Sequence, residues 1–599
     1  MNWATHEVTN QVPDLVDYNL YDSDQALRQG VAREGGGAHD ASLLAYGAKL
    51  GEAASFALAC DANNYKPQLE QFDRRGCRVD RVHFHPAWCH FMRQAFRQGM
   101  HCSAWEGNQM RPSLFSGVAD FAAGGQVARA AAYLMHGQVE AGSLCPITMT
   151  SAAIPVLCNE PWFDTIAPRL FSRAYDDRDM PLAGKTSMMI GMGMTEKQGG
   201  SDLRSNTTQA RPEGAGGRGQ PYGLVGHKWF FSSPTSDAHL VLARAEEGFS
   251  CFYVPRWLAD GHRNAICLQR LKNKLGNASN ASAEVEFQNA TGWLVGEPGR
   301  GIATLVEMAS FTRLDCVLGS AALQRQALVQ ALHHARHRKA FGELLINQPL
   351  MQSVLVDLAL ESEAATILAL RLARTLDAVR GPSASRWHED QAPRHQPSQT
   401  IGDGTDSPSG TLNPAGVIAA TPLDQAFVRI LTPAAKFWVC KRGIEMAAEC
   451  MEVLGGNGYI EEGPLARLYR ETPVNSIWEG SGNVMCLDVL RAMEREPELA
   501  DALLSWLRQQ CLDDALLRQS VNDLRALCDT KGASRQRAAR RIAQDLVLLT
   551  QAALLRAHAP QAVTDAFVST RFGRAGRVFG AIGTPLEAET ILGRAFNTL

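Results

Sequence analysis

A change of texture between residues 187 and 297 constrains the fold more than any other feature of the chain. Here SMMIGMGMTE, YGLVGHKWFFSSP, AHLVLARA, FSCFYVPRWL and SAEVEFQNATGWLVG follow one another as short β-prone runs separated by glycine and asparagine turns. That pattern predicts an antiparallel sheet or a small barrel. On both sides of it, apolar residues recur at helical spacing instead. Upstream, Leu43, Leu44, Leu50, Phe56 and Leu58 and the alanine-rich VARAAAYLMHGQVEAG predict an all-helical N-terminal domain. Downstream, one stripe of Ile302, Leu305, Val306, Leu314, Val317 and Leu318 and another of Leu350, Val354, Leu355, Leu358, Ile367 and Leu368 predict a helix bundle. A chain of 599 residues exceeds what one hydrophobic core supports. The expected class is therefore α+β, mostly α, in four parts: an N-terminal helical domain (1–186), a middle β domain (187–300), a helix-bundle domain (301–492) and a C-terminal helical domain (493–599).

Within the bundle, residues 382–422 are rich in Pro, Ser, Gly, Asp and Gln and poor in large apolar side chains. Such a stretch cannot offset its ordering entropy and is expected to be a disordered surface insertion. The formal charge of -3 gives no overall pull toward nucleic acid or anionic lipid, so any such pull must be local. The 14 cysteines form no C-x-x-C pair, which predicts reduced thiols in a cytoplasmic protein. Neither a secretory segment nor an apolar run long enough to span a membrane is found, and no membrane partner is expected. VHFHPAWCHFM (82–92) groups three histidines near a cysteine, but no second cluster with ligand spacing accompanies it, so no metal is expected.

Local charge does appear at the C-terminal end. Residues 493–599 carry 14 Arg and Lys against 12 Asp and Glu, yet 531–541, KGASRQRAARR, holds five basic residues and no acid. RFGRAGR (571–577) adds three more. On a helix Arg537, Arg540 and Arg541 fall opposite Ile542, Leu546 and Leu549, predicting an outward basic face. A solvated surface is the plain reading of that face, and binding of a phosphate backbone by Lys531, Arg535, Arg537, Arg540 and Arg541 is the sharper one.

Candidate chemistry concentrates in EVLGGNGYIEEGPLARLYRETPVNSIWEGSGNVM (452–485). Glu479 stands between Trp478 and Gly480, in a loop of small residues; a carboxylate desolvated against tryptophan can serve as a general base, although an exposed glutamate after a helix cap reads as well from this stretch alone. MTEKQGGSDLRSNTT (194–208) offers hydroxyls and loosened backbone to a flat polar heterocycle, and HRKAFGELLINQPLM (337–351) sets Arg338 and Lys339 before a helix break where a diphosphate could sit. Gly184-Lys185-Thr186 lacks the upstream glycine of a P-loop. Gly191-Met192-Gly193 lacks the third glycine and the βαβ unit of a Rossmann fingerprint.

Taken together and in this order, M-T-E-x-x-x-G-S-D, R-x-x-F-G, G-G-x-G-Y and W-E-G resemble the acyl-CoA dehydrogenase flavoprotein family over residues 124–490. Within it, FHPAW, QVEAGSLCPITMT, VGHKWFFS, RLKNKLGNASNAS, TPAAKF and LYRETPVNSIWEGSGNVMCLDVLR are similar to the branch tied to the DNA alkylation response. The resemblance implies an acyl-CoA dehydrogenase-like fold with an extra C-terminal domain, and FAD as cofactor. It implies that Met192, Met194, Thr195, Gly200 and Ser201 line the flavin and that Phe230, Phe231 and Ser232 cover its other side. Arg338, Phe341, Gly455 and Gly456 would reach the FAD of a neighbouring subunit in a homotetramer. Ile477, Trp478, Gly480, Ser481 and Asn483 would complete the site, with Glu479 as catalytic base. The family's other base position matches Thr312, beside Arg313, and so carries no carboxylate. Phe230 stands where many dehydrogenases have tryptophan, and Glu452 where glutamine is common. The function implied is an FAD protein of the alkylation response that binds double-stranded DNA through its basic C-terminal domain and retains an acyl-CoA dehydrogenase site of weak activity; the alternative is a working acyl-CoA dehydrogenase of short or branched acyl-CoA esters, with Glu479 as base and no DNA role.

Overall fold

The computed structural model describes residues 4–106, 124–379, 420–573, 578–582 and 586–597. Helices α1 (Gln25–Arg33), α2 (Asp40–Leu50) and α3 (Ala53–Asn64) open the chain. The first starts at Asp24, whose carboxylate accepts the Leu27 N–H as an N-cap. A two-stranded antiparallel hairpin, β1 (Gln68–Phe72) and β2 (Arg78–His83), then interrupts the expected all-helical run. The hairpin serves the neighbouring β domain: Gln71 and Arg78 donate to Leu268 O at 2.9 and 2.6 Å, and Leu268 N donates to Asp80. Helices α4 (Pro86–Arg97), α5 (Gly125–Val139), α6 (Leu144–Leu157) and α7 (Phe163–Leu170) complete the first part. His83 meets Glu70 at 2.9 Å and His85 accepts from Ala87 N to cap α4, so two histidines of the 82–92 stretch have structural tasks.

The middle part holds seven strands: β3 (Ile190–Gly193), β4 (Gln209–Pro212), β5 (Pro221–Ser232), β6 (Ala238–Ala245), β7 (Gly248–Pro255), β8 (Ile266–Leu271) and β9 (Ser282–Val295). Pairing runs β3-β6-β4-β5-β9-β7, with β8 beside β9, and β7 also pairs with β6, so five of the strands close into a small barrel. Phe231, Phe252, Phe287, Leu224 and Val285 fill a core of its own inside the barrel.

Helices α8 (Gly301–His337) and α9 (Pro349–Val379), joined through the short strands β10 (Lys339–Ala340) and β11 (Glu343–Leu344), are the long members of the bundle. Of the 382–422 stretch, residues 382–419 lie outside the described residues. Thr421 closes a capping box with Asp424 at the start of α10 (Pro422–Ala426), so the last residues of that stretch lead into ordered helix. Helices α11 (Thr432–Val453), α12 (Gly456–Tyr459), α13 (Pro464–Ile477) and α14 (Gly482–Arg495) follow, then α15 (Pro497–Gln510), α16 (Ala515–Cys528), α17 (Gly532–His558), α18 (Gln561–Phe572) and α19 (Ala588–Ala595). One hydrophobic core runs from the N-terminal helices through the bundle to these last helices, including Leu546, Leu549, Phe567 and Phe596. Ion pairs fasten the C-terminal end as well: Arg571 reaches Asp357 at 2.6 Å and Glu361 at 3.0 Å, and Arg594 reaches Glu363 at 2.8 Å. Arg571 is therefore spent inside the fold and is not part of a free basic cluster; residues 574–577 of RFGRAGR lie outside the described residues. No helix among the described residues is long and apolar enough to cross a membrane.

Candidate functional site

The α13–α14 junction carries Glu479 in a left-handed conformation, φ 59°, followed by Gly480 at φ 111°. A non-glycine residue pays for such a backbone, so neighbours must hold it. They do so from two helices. Thr312 of α8 donates to Glu479 Oε2 at 2.7 Å, and Arg313 donates to the Glu479 carbonyl at 3.3 Å while pairing with Asp488 at 2.6 Å. Lys436 of α11 donates to the Gly480 carbonyl at 2.7 Å. The residue as a whole is half-buried, but its carboxyl lies in desolvated surroundings. Burial raises its pKa above the ordinary value, against the Thr312 hydrogen bond and the positive charges of Lys436 and Arg313, which lower it. A carboxylate tuned upward in this way is a better proton acceptor from carbon.

The barrel presents its own residues toward this loop. Asn277, in the β8–β9 connection, donates its N–H to Glu471 of α13 at 2.7 Å, seating the helix that ends in Glu479 against the barrel. Cys145 of α6 lies between the two: burial and the Glu479 charge push its thiol up to about 11, against Lys274 and hydrogen bonds with Asn280 and Ser232.

After β3, the segment carrying Met194 and Thr195 is braced by a buried ion pair, Lys228 Nζ to Glu196 Oε1 at 2.8 Å, with both side chains fully out of solvent. Glu196 also accepts from the Thr207 and Thr208 N–H groups, and Asn206 donates to Met194 O. Burial alone would raise Glu196, but Lys228 and these donors hold it down at about 2. Burial draws the Lys228 ammonium toward about 8; facing so well-stabilised a carboxylate, the pair stays ionised near neutral pH.

Strand alternation sorts Phe230, Phe231 and Ser232. Phe230 is 51% exposed, whereas Phe231 is fully buried, stacked on His239 with ring centroids 3.8 Å apart inside the barrel. The expectation that the Phe231 side chain covers a flavin is therefore corrected: successive side chains point to opposite faces, and its face is the barrel core. Trp229 is no substitute for Phe230, since Lys272 Nζ sits 3.2 Å from its ring centroid.

Ile477, Trp478, Ser481 and Asn483 surround Glu479 by sequence, and Gly200 lies beside Thr195, where a Cβ added to it would stand 3.4 Å from Thr195 Cγ2. Of the residues expected to reach a neighbouring subunit, Phe341, Gly455 and Gly456 are exposed and Arg338 is half-buried. Phe341, at φ 55°, is wholly exposed, and a Cβ added at Gly455 or Gly456 meets nothing within 4 Å. Arg338 donates to the Asn10 carbonyl, and the Asn10 side chain bonds both Lys339 N and Lys339 O at 2.9 Å, so the N-terminal segment holds this edge. Glu452 is exposed.

The basic helix is less uniform than its sequence. Lys531, Arg537, Arg540 and Arg541 are exposed, but Arg535 is half-buried and pairs with Glu494 at 3.4 Å, and Arg541 pairs with Asp545 at 2.6 Å. Arg540 donates to Asn483 Oδ1 at 2.9 Å and lies over Phe437, because α17 packs against α14 and α11. One predicted DNA contact thus belongs to the rim of the Glu479 site. Glu196, Lys228 and Lys436 stand inside the motifs M-T-E-x-x-x-G-S-D, VGHKWFFS and TPAAKF, yet none was singled out as a site residue; a lysine within the apolar TPAAKFWVC was the signal that could have found the last.

A flavin fits this arrangement on one internal observation: the Trp478 indole Nε1 is buried with no acceptor among the described residues, next to the proposed base.

Comparison with known proteins agrees with the geometry. Residues 10–177 match the adaptive response protein AidB N-terminal domain, 191–290 the acyl-CoA dehydrogenase middle domain, and 299–388 with 417–494 the acyl-CoA dehydrogenase C-terminal domain. The chain is 48% identical over 506 residues to the Escherichia coli (strain K12) protein described as "Putative acyl-CoA dehydrogenase AidB", covering 84% of this chain and 83% of that protein. It is 29% identical over 362 residues to acyl-CoA dehydrogenase family member 11 of Caenorhabditis elegans, 58% of this chain and 51% of that one. Among solved structures, Caenorhabditis elegans ACDH-11 in complex with C11-CoA superposes with a TM-score of 0.77 at 24% identity, over 94% of this chain and 93% of the other. An acyl-CoA dehydrogenase complexed with FAD from Bacillus anthracis gives 0.62 at 17% identity, over 86% and 91%. At these identities the structural matches speak for the fold.

Proposed function

The chain belongs to the acyl-CoA dehydrogenase family, in its AidB branch, and from that premise we propose that it is an FAD-dependent oxidoreductase of acyl-CoA thioesters, with Glu479 as the base. Bound FAD supplies the acceptor for the β-hydride of the substrate. The chain's part is to take the α-proton. Glu479 Oε2 is fixed by Thr312 and its other oxygen makes no hydrogen bond among the described residues, leaving it free to receive that proton. Met192, Met194, Thr195, Gly200, Ser201 and Phe230 from the barrel side, and Ile477, Trp478, Gly480, Ser481 and Asn483 from the helical side, would hold the flavin. The exposure of Phe341, Gly455 and Gly456, with the half-buried Arg338, supports a homotetramer in which each copy completes another's cofactor site. The observation that carries this reading is the desolvated carboxylate of Glu479, held in a left-handed loop facing the barrel. Anaerobic mixing of the FAD-loaded protein with butanoyl- or isobutanoyl-CoA tests it: bleaching of the flavin absorbance is expected, and no bleaching with esters of any chain length would overturn it.

A second reading is favoured by the exposed cations of α17. Among the described residues Lys531 and Arg537 meet no carboxylate on its first turns, beyond the residues that match the dehydrogenase domains. They would bind the phosphates of double-stranded DNA with help from Arg541 and Arg540, and with less from the half-buried Arg535. Binding should weaken steeply as salt rises, and Lys531→Ala with Arg537→Ala should reduce the slope of log affinity against log salt by about 2. Salt-independent binding, or an unchanged slope, would refute a role for this helix.

A further inference from the structure

Lys436 is 1% exposed, and no carboxylate lies within ion-pair distance of it among the described residues. A charged ammonium in such a place is costly unless it has work to do. Its hydrogen bond goes to the Gly480 carbonyl, 2.7 Å away, in the peptide that follows Glu479. One residue earlier, the Glu479 carbonyl accepts from Arg313 at 3.3 Å. Two cations from two different helices thus grip successive carbonyls of the one turn that forces Glu479 to φ 59°. The geometry points to Lys436 as a positioning residue: with Arg313 it clamps the Glu479–Gly480 turn, aims the Glu479 carboxylate, and supplies a nearby positive charge that favours its ionised form. The inference deepens the dehydrogenase reading above and rests on it for the proton-transfer step alone.

The surroundings of Glu479 leave this task to few groups. From α8 come Thr312, Arg313 and Cys316, and from α6 Cys145. Arg313 is largely neutralised by Asp488 of α14 at 2.6 Å. The thiols of Cys145 and Cys316 are pushed up, chiefly by burial, and are uncharged near neutral pH. Of the two cations that act on Glu479, Arg313 and Lys436, Lys436 is then the one with no carboxylate at ion-pair distance among the described residues.

Three variants separate aim from charge: Lys436→Arg keeps both charge and donor, Lys436→Gln keeps a donor, and Lys436→Met keeps neither. Flavin bleaching by butanoyl-CoA is followed against pH, and backbone hydrogen exchange of 478–482 is followed without substrate. In Lys436→Gln and Lys436→Met the acid limb of the bleaching profile should move up by about one pH unit, because a carboxylate losing a neighbouring cation holds its proton longer. Lys436→Met should also exchange the loop amides faster and bleach roughly tenfold or more slowly, while Lys436→Arg restores the profile. An unmoved acid limb in both uncharged variants, or wild-type exchange of 478–482 in Lys436→Met, would overturn the inference. Should Lys436→Met fail to fold, Lys436→Gln decides the charge and its exchange decides the clamp. A wild-type protein that never bleaches defeats the dehydrogenase reading instead, and the exchange measurement still decides the clamp.

Discussion

Glu479→Gln should yield a folded, yellow protein in which acyl-CoA no longer bleaches the flavin, with the reductive step slowed by roughly 10²–10⁴-fold. Glutamine matches glutamate in shape, accepts from Thr312 as the carboxylate does, and cannot take a proton from carbon. Since the backbone at φ 59° is held by Arg313 and Lys436 through carbonyls, the loop should survive the exchange. Substrate binding should be little changed, so the loss falls on kcat and leaves KM nearly alone. In the wild type the activity requires an ionised Glu479 and should fall away as pH drops through a value above the ordinary glutamate range, because burial raises this group. Bleaching by Glu479→Gln at an undiminished rate would assign the base to another residue; Thr312, the family's other base position, cannot supply it.

A second large effect is expected at Lys228. Lys228→Met leaves the Glu196 carboxylate buried at 0% exposure without its counter-ion, which costs about 3–5 kcal/mol in a buried pair. Because Glu196 braces Thr207, Thr208 and, through Asn206, the Met194 carbonyl, flavin retention should fall with stability. The pH dependence has a definite sign. Glu196 is depressed from its ordinary 4.5 to about 2 in the folded protein, so its contribution is fully present above pH 4.5 and is lost as pH falls toward 2. In Lys228→Met burial raises Glu196 instead, and the acid loss should begin at a higher pH. Denaturant unfolding of both proteins between pH 3 and 7 measures this, and equal stabilities at pH 7 would contradict the assigned role.

How much of this was legible in the sequence differs from element to element. The barrel was legible because its strands alternate or run apolar between glycine turns, and Phe230, Phe231 and Ser232 lie on one of them; which of the three faces outward depends on register, which texture does not reveal. The β1–β2 hairpin was not legible, since QLEQF and RVDRVH are short, polar strands set among helices, and they exist through their bonds to Leu268. Glu479 was legible from Trp478 and the small residues after it, yet its left-handed backbone was not, because the cations that hold it come from 166 residues and 44 residues away in sequence. The arginine face shows the same limit. Helical spacing puts Arg540 with Arg537 and Arg541, but only the packing of α17 on α14 turns it to Asn483. Periodicity finds a face; the neighbour that covers it is a property of the whole fold.

The account stands on a flavin held between the barrel and the Glu479 loop. The direct measurement is the visible absorbance and cofactor stoichiometry of the purified protein after incubation with FAD and removal of the excess. The account predicts flavin bands with about one FAD per chain, retained in Glu479→Gln and weakened in Arg338→Ala, the residue proposed to meet a neighbouring copy's cofactor. A colourless protein that takes up no FAD would contradict it.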